Sequence, residues 1–254
     1  MRIMPSTSGP LLDTWATPPH NLNIQTGETH VWRIALDQPD AKVATLFALL
    51  SEDERRRAFR FHFDRDRRRF TVARGALRCI LSNYLGAQPE RLRFDYSEHG
   101  KPFLDTHQPG LDLRFNVSHS DELALVAVTV ATEVGVDVEK IRPDFAGLEI
   151  AERFFSPAEV KALRSLPIHL RSRAFFNCWT RKEAFVKATG RGLSFPLKAF
   201  DVTLAPGESP HLLRVENDDP ARWSIFEVSP AHDFVGALVV ESRDVLLMGW
   251  HWQA

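Results

Sequence analysis

Cysteine is nearly absent: 254 residues hold two, Cys79 and Cys178, each in an apolar, helix-like stretch. Their number and spacing make neither a zinc knuckle nor a disulfide-stapled scaffold, and they read as buried thiols or, second to that, one disulfide, with a reducing, cytoplasmic setting as the simplest reading. No run reaches the roughly 18 apolar residues of a membrane span. The longest, residues 123–131, is strand-sized. After Arg2 come proline and polar side chains rather than the apolar core of a secretory leader. Charge of one sign is also missing. Lys+Arg number 32 and Asp+Glu 33, a formal net charge of −1, without the footprint of a nucleic-acid binder. The composition, 44% hydrophobic and 26% charged, is that of a globular protein with a real core. The expectation is a soluble protein with neither a nucleic-acid nor a membrane partner.

Residues 1–29 are rich in Pro, Thr, Gly and Asn and read as a loose arm. Residues 30–36 alternate like a short strand, with Val31, Ile34 and Leu36 as inward positions. Residues 41–50 read as a helix, and Ser51 followed by Glu54 is a capping-box start for a second. Residues 113–117 alternate and end at Ser118-His119-Ser120. Residues 123–130 and 134–139 look like a hairpin pair. Ser156-Pro157-Ala158-Glu159 repeats the helix start, and a long helix is expected over 172–189, stopped by Gly190. Phe175, Cys178, Trp179 and Val186 form its apolar stripe. Ser51 precedes Phe70, Arg78 and Gly86 by 19, 27 and 35 positions; Ser156 precedes Phe175, Glu183 and Gly190 by 19, 27 and 34. That echo suggests two similar halves meeting near residues 130–135, with a cleft between them as a ligand site.

Between Glu52 and Arg78 stand ten arginines and five acidic residues, a local excess of +5. The stretch is either a salt-bridged helical surface or an anion site, for which the planar guanidinium is well suited. In the strand at 134–139, Val134, Val136 and Val138 share one face and Gly135, Asp137 and Glu139 the other, so the two carboxylates lie roughly 6–7 Å apart. They are solvated acids or ligands of a hard cation. Glu183 and Lys187 share a helical face, as a simple i,i+4 ion pair or as part of that cation site. Ser118 lacks the Gly-x-Ser-x-Gly elbow of a hydrolase, which leaves His119 as a hydrogen bonder or phosphate ligand. Gly100-Lys101-Pro102 is a turn carrying a cation and no Walker loop.

Taken in order, Gly100-Lys101-Pro102, Phe115-Asn116-Val117-Ser118-His119-Ser120, Gly135-Val136-Asp137-Val138-Glu139-Lys140, Arg153-Phe154-Phe155-Ser156-Pro157-Ala158-Glu159, Trp179-Thr180-Arg181-Lys182-Glu183-Ala184-Phe185-Val186-Lys187 and the stretch 190–197 resemble the 4'-phosphopantetheinyl transferase superfamily. The likeness is greatest to its surfactin-synthetase type and spans about residues 30–240. It implies an α+β fold in which two subdomains, each a small, mainly antiparallel sheet with packed helices, are related by a pseudo-twofold axis. The expected division is an N-terminal arm (1–29), an N-terminal half with the coenzyme A phosphate contacts (30–132), and a C-terminal half with the metal and catalytic residues (133–254).

The resemblance further implies transfer of 4'-phosphopantetheine from coenzyme A, as co-substrate, to a serine of an apo acyl, polyketide or peptidyl carrier protein, with release of 3',5'-ADP. Asp137, Glu139 and Glu183 would hold Mg²⁺, or Mn²⁺ by the same oxygen chemistry. Glu183, or a water it activates, would take the serine proton, and Lys187 would stabilise the leaving phosphate. Glu159 matches a further acidic position near the metal or else caps its helix. Gly100, Lys101, Pro102, Ser118 and His119 would bind the nucleotide, with Lys182 nearby. Arg57 matches a cation associated with the 3'-phosphate, while Glu54 and Phe70 depart from the family pattern there. Arg69 and Arg74 are further expected contacts, and Arg78 is expected to be structural. Residues 165–173, with His169, Arg171 and Arg173, are a candidate docking loop for an acidic carrier, and the two-half chain implies a monomer. The rivals are another Mg²⁺-dependent phosphate or nucleotide transferase and a non-catalytic carrier-binding module.

Overall fold

The fold was analysed in a computed structural model that describes residues 11–105, 111–142, 147–192 and 195–253. Residues 1–10 of the expected arm, and Leu193 and Ser194 of the 190–197 stretch, lie outside the described residues. The chain begins with β1 (Leu11–Leu12) and β2 (Glu28–Ala35), then α1 (Asp40–Ala48), α2 (Glu52–Ala58) and α3 (Asp64–Leu85). A short hairpin, β3 (Phe94–Tyr96) and β4 (Pro102–Leu104), leads to β5 (Leu113–Ser120) and β6 (Leu123–Val130). The second half repeats the order: β7 (Val134–Lys140), α4 (Leu148–Phe154), α5 (Pro157–Ser165), α6 (Ile168–Thr189), the hairpin β8 (Phe200–Val202) and β9 (Leu212–Val215), then β10 (Ser224–Val228) and β11 (Phe234–Val240). Strand β12 (Leu246–His251) ends the fold.

Two four-stranded sheets result, in the orders β12-β2-β6-β5 and β1-β10-β11-β7. Strands β2, β6 and β5 of the first correspond to β7, β11 and β10 of the second, antiparallel in both. The repeat extends to the helices. α3 and α6 each span 22 residues, and both end on a left-handed glycine, Gly86 (φ 60°) and Gly190 (φ 68°), a conformation that costs side-chain-bearing residues more. In each half a carboxylate at the third helical position, Glu54 or Glu159, accepts the N–H of its capping serine, Ser51 or Ser156, at 2.9 and 2.8 Å. Both acids are buried and paired with a cation on the long helix, Glu54 with Arg78 (2.7 Å) and Glu159 with Lys182 (2.9 Å). The echo in the sequence is therefore a structural repeat.

Helices cover one face of each sheet and the two sheets pack against each other, which gives three hydrophobic cores. Val134, Val136 and Val138 of β7 enter the core between the sheets, so Gly135, Asp137 and Glu139 face the other way. At Gly135 a Cβ would run into the Ala184 carbonyl oxygen and the Ala188 nitrogen, and its absence lets α6 lie directly on β7.

Several expectations require correction. β6 and β7 are not a hairpin: β6 pairs with β2 and β5, whereas β7 crosses to the other sheet and pairs with β11 from Phe234↔Lys140 to Val240↔Val134. The described part of the arm is not loose. Leu12, Leu22 and Ile24 are buried, β1 adds a parallel strand beside β10, and Ala16 bridges Trp250. β12 in turn joins the first sheet, parallel to β2, so both terminal strands cross the expected division at residues 132–133. α6 begins at Ile168 after Pro167, which puts His169, Arg171 and Arg173 in helix rather than loop. Arg171 donates to the Leu166 carbonyl (2.9 Å), and Arg173 pairs with Glu227 (3.3 Å).

Candidate active site at the seam between the halves

β5 and β7, the facing edges of the two sheets, run side by side without a backbone hydrogen bond between them among the described residues. Side chains at alternate positions of β5 join them instead. Asn116 Oδ1 accepts the Val136 N–H at 2.9 Å, Ser118 Oγ donates to Asp137 Oδ1 at 2.8 Å, and Ser120 Oγ donates to Glu139 Oε2 at 2.8 Å. Period-two geometry puts Asn116, Ser118 and Ser120 on one face of β5, and this run is the signal that would have revealed the seam in the sequence.

α6 delivers the remaining groups. Lys187 Nζ donates to Asp137 Oδ1 (2.6 Å) and Ser118 Oγ (3.1 Å), and Glu183 lies one turn earlier on the same face. Burial, reinforced by the negative charge of Asp137, raises the Glu183 carboxyl above its ordinary range. Burial and then Asp137 raise Glu139 in the same way, against the Ser120 hydrogen bond. Asp137 is 4% exposed, and its Oδ2 is buried without a hydrogen-bond partner. Glu183 and Glu139 thus both feel the charge of Asp137, which Lys187 partly offsets at each. Their donor set, all oxygen with one buried lone acceptor, suits a hard divalent ion. Among the described residues, however, no three His, Cys, Asp or Glu side chains are gathered as a ready-made metal cluster.

A cavity lies at each end of the seam. One, of about 560 Å³, is lined by Lys101, Pro102, Leu104, Phe115, Glu133 and Gly190. Lys101 bonds Glu133 and the Val134 carbonyl there, both at 3.2 Å, and burial lowers its pKa. Gly100 (φ 79°) sits in the preceding turn. The other, of about 410 Å³, has His119, Arg65, Arg69, Lys140 and Arg142 around the aromatic rings of Phe61 and Phe70. Arg57 is exposed, its guanidinium 5.6 Å over the Phe70 ring. Lys101, held at Val134, and His119, between the serines bonded to Asp137 and Glu139, therefore stand towards opposite ends of the seam, about 13 Å apart by strand geometry. Lys140, Arg142 and Asp121 line the second cavity without having been singled out in the sequence.

Two expected nucleotide contacts are placed elsewhere. Lys182 is fully buried on the far side of α6, bound to Glu159 and to the Leu197 and Phe200 carbonyls at 2.7 and 2.6 Å, because adjacent helical residues point about 100° apart. Arg74 is bound to Glu54, donates to the Tyr96 hydroxyl (2.9 Å) and packs 4.3 Å over Phe94, inside the N-terminal half. Glu54 is the buried acid of that network, and Glu159 serves its capping box and the Val202 N–H (2.9 Å) rather than the carboxylate trio.

Two family models match the chain in succession. Residues 133–239 match the 4'-phosphopantetheinyl transferase superfamily, and residues 37–131 match the 4'-phosphopantetheinyl transferase N-terminal family. The chain is 43% identical to the 4'-phosphopantetheinyl transferase HetI of Nostoc sp. over 95% of its own length and 100% of that protein. It is 32% identical to a 4'-phosphopantetheinyl transferase of Bacillus subtilis over 85% of its length and 99% of that protein. A holo-[acyl-carrier-protein] synthase structure from Thermotoga maritima aligns over 44% of this chain and 64% of that one, with 26% identity and a TM-score of 0.35.

Proposed function

The chain belongs to the 4'-phosphopantetheinyl transferase superfamily, and from that premise we propose that it transfers the 4'-phosphopantetheine of coenzyme A to a serine of an apo carrier protein and releases 3',5'-ADP. The observation that carries the reading is the trio Asp137, Glu139 and Glu183 with Lys187 at the seam, beside a cavity rich in cations. Such a displacement needs charge neutralisation and alignment more than covalent machinery.

Asp137, through its unpartnered Oδ2, with Glu139 and Glu183 would hold Mg²⁺. When bound, the ion supplies positive charge against the coenzyme A pyrophosphate. A phosphorus–oxygen bond forms from the serine oxygen to the pantetheine-side phosphorus, and the bond from that phosphorus to the bridging oxygen breaks. The departing 3',5'-ADP keeps the electron pair. Glu183, or a water it orients, receives the serine proton. Lys187 stands beside Asp137 and Ser118, where an ammonium stabilises the leaving phosphate. Ser118 and Ser120 hold Asp137 and Glu139 in place. The cations around the second cavity, Arg69 and Lys140 among them, receive nucleotide phosphate, with His119 as a further hydrogen-bonding group in its lining. Arg57 stands nearby over Phe70, and Lys101 and Pro102, which border the first cavity, with Gly100 in the turn before them, are the other nucleotide contacts.

With both halves in one chain, as in the surfactin-synthetase type, a monomer completes the seam. No described helix is long and apolar enough to cross a membrane, in keeping with work on cytoplasmic carriers of fatty-acid, polyketide or nonribosomal-peptide synthesis. Intact mass spectrometry of an apo carrier incubated with the protein, coenzyme A and Mg²⁺ tests the reading. The expected result is one added phosphopantetheine, absent from a serine-to-alanine carrier. No gain on acyl, polyketide and peptidyl carriers alike would refute it.

A further inference from the structure

In the turn between β5 and β6 stands Asp121, a non-glycine residue in the left-handed region (φ 49°). Its carboxylate reaches across the seam. Oδ1 lies 2.5 Å from Arg69 Nη1 on α3, and Oδ2 lies 3.2 Å from Lys140 Nζ at the end of β7. One carboxylate thus bridges a cation from each half, and it does so within the lining of the cationic cavity.

Each cation has a second anchor. Asp37 grips the other edge of Arg69, at 2.8 Å to Nε and 2.9 Å to Nη2, and Glu122 holds Lys140 at 2.9 Å. Neither Asp37 nor Glu122 lines the cavity. If Asp121 withdrew, the guanidinium would stay oriented by Asp37 and the ammonium by Glu122, each with a donor turned to the cavity. A phosphate offers the same bridging pattern of oxygens with more charge than a carboxylate. The other carboxylate of the cavity, Asp66, is only 3.3 Å from its neighbour Arg65 and bridges nothing.

On the transferase reading given above, we propose that Asp121 is an internal competitor for the nucleotide phosphate, occupying Arg69 and Lys140 until phosphate displaces it, and so sets nucleotide affinity and its salt dependence. Asp37 has the opposite role, as the positioning residue for Arg69. Two acids on one arginine then have opposite effects on binding. The displacement is feasible because the Asp121 side chain is 40% exposed, and ion pairs at such sites are weak.

The test is calorimetric binding of 3',5'-ADP to the full chain. Asp121→Asn keeps a residue tolerant of left-handed backbone and removes the charge, and Asp121→Gly repeats the measurement in a second background. Both should bind roughly three- to tenfold more tightly than wild type at low ionic strength, with the gain fading as salt screens the cations. Asp37→Asn should bind more weakly. In an Arg69→Gln background most of the Asp121→Asn gain should vanish. Equal or weaker binding by both folded Asp121 variants, while the wild type binds 3',5'-ADP and modifies a carrier, would overturn this proposal alone. A wild type that does neither would overturn the transferase reading, and the proposal with it.

Discussion

Lys182 and Glu183 are neighbours in the chain and have unrelated surroundings, which a motif read as a string does not show. Glu183 turns to the seam, whereas Lys182 is sealed behind α6 against Glu159. Removing one partner of a buried pair strands the other charge, typically at a cost of about 3–5 kcal/mol. Lys182→Met should therefore lower the denaturant midpoint markedly while the folded fraction keeps its affinity for coenzyme A. Normal stability with weakened coenzyme A binding would return Lys182 to the nucleotide site. The same logic separates the arginines of the 52–78 stretch. Arg74 and Arg78 serve Glu54 inside the N-terminal half, Arg69 faces the cavity, and Arg57 stays exposed. Composition registered their number, but which face of α2 or α3 carries each one emerges only from the packing.

At the level of elements, signals carried within a few residues were legible and choices of partner were not. The two capping boxes, Gly190 as a helix end, and the alternation that turns Asp137 and Glu139 away from the valines are all found where the sequence puts them. The destination of β7 was not legible. β6 is buried along its whole length, so its pattern does not reveal which strands flank it, and a short connection to β7 reads as a hairpin. The crossing is decided by distant residues: β11 supplies the ladder, and Gly135 admits α6. The start of α6 was misjudged for a simpler reason. Exposed Ile168 and the basic residues after it lack the apolar period that marks the later turns.

Over the whole molecule, the two halves are held by exchange of their terminal strands as well as by the seam, since β1 lies in one sheet and β12 in the other. An aromatic cluster secures β12. Trp250 sets its ring edge-on to His30 at 5.7 Å, and the Tyr84 hydroxyl accepts from Trp32 Nε1 (2.9 Å) and lies 2.8 Å from His30 Nδ1. Burial pushes the His30 pKa down to about 4 from an ordinary 6.5, with Glu28 the nearest carboxylate at 3.8 Å. Between these values the unfolded chain binds a proton that the folded one refuses. The His30 contribution to stability is thus complete above about pH 6.5 and is lost as the pH drops towards 4, by about 3 kcal/mol in all. Urea unfolding at pH 7.5 and 4.5 should show this loss in the wild type and a smaller one in His30→Gln; equal losses would contradict it. The central claim, that the seam carboxylates carry a metal-dependent transfer, is tested most directly by one intact-mass time course. An apo carrier, coenzyme A and Mg²⁺ are mixed with wild type or with folded Asp137→Asn, with and without chelator. The account predicts a phosphopantetheine gain with the wild type, its loss on chelation, and a rate roughly a hundredfold lower or less in the variant. Full-rate transfer by Asp137→Asn, or by the wild type with all metal chelated, would contradict it.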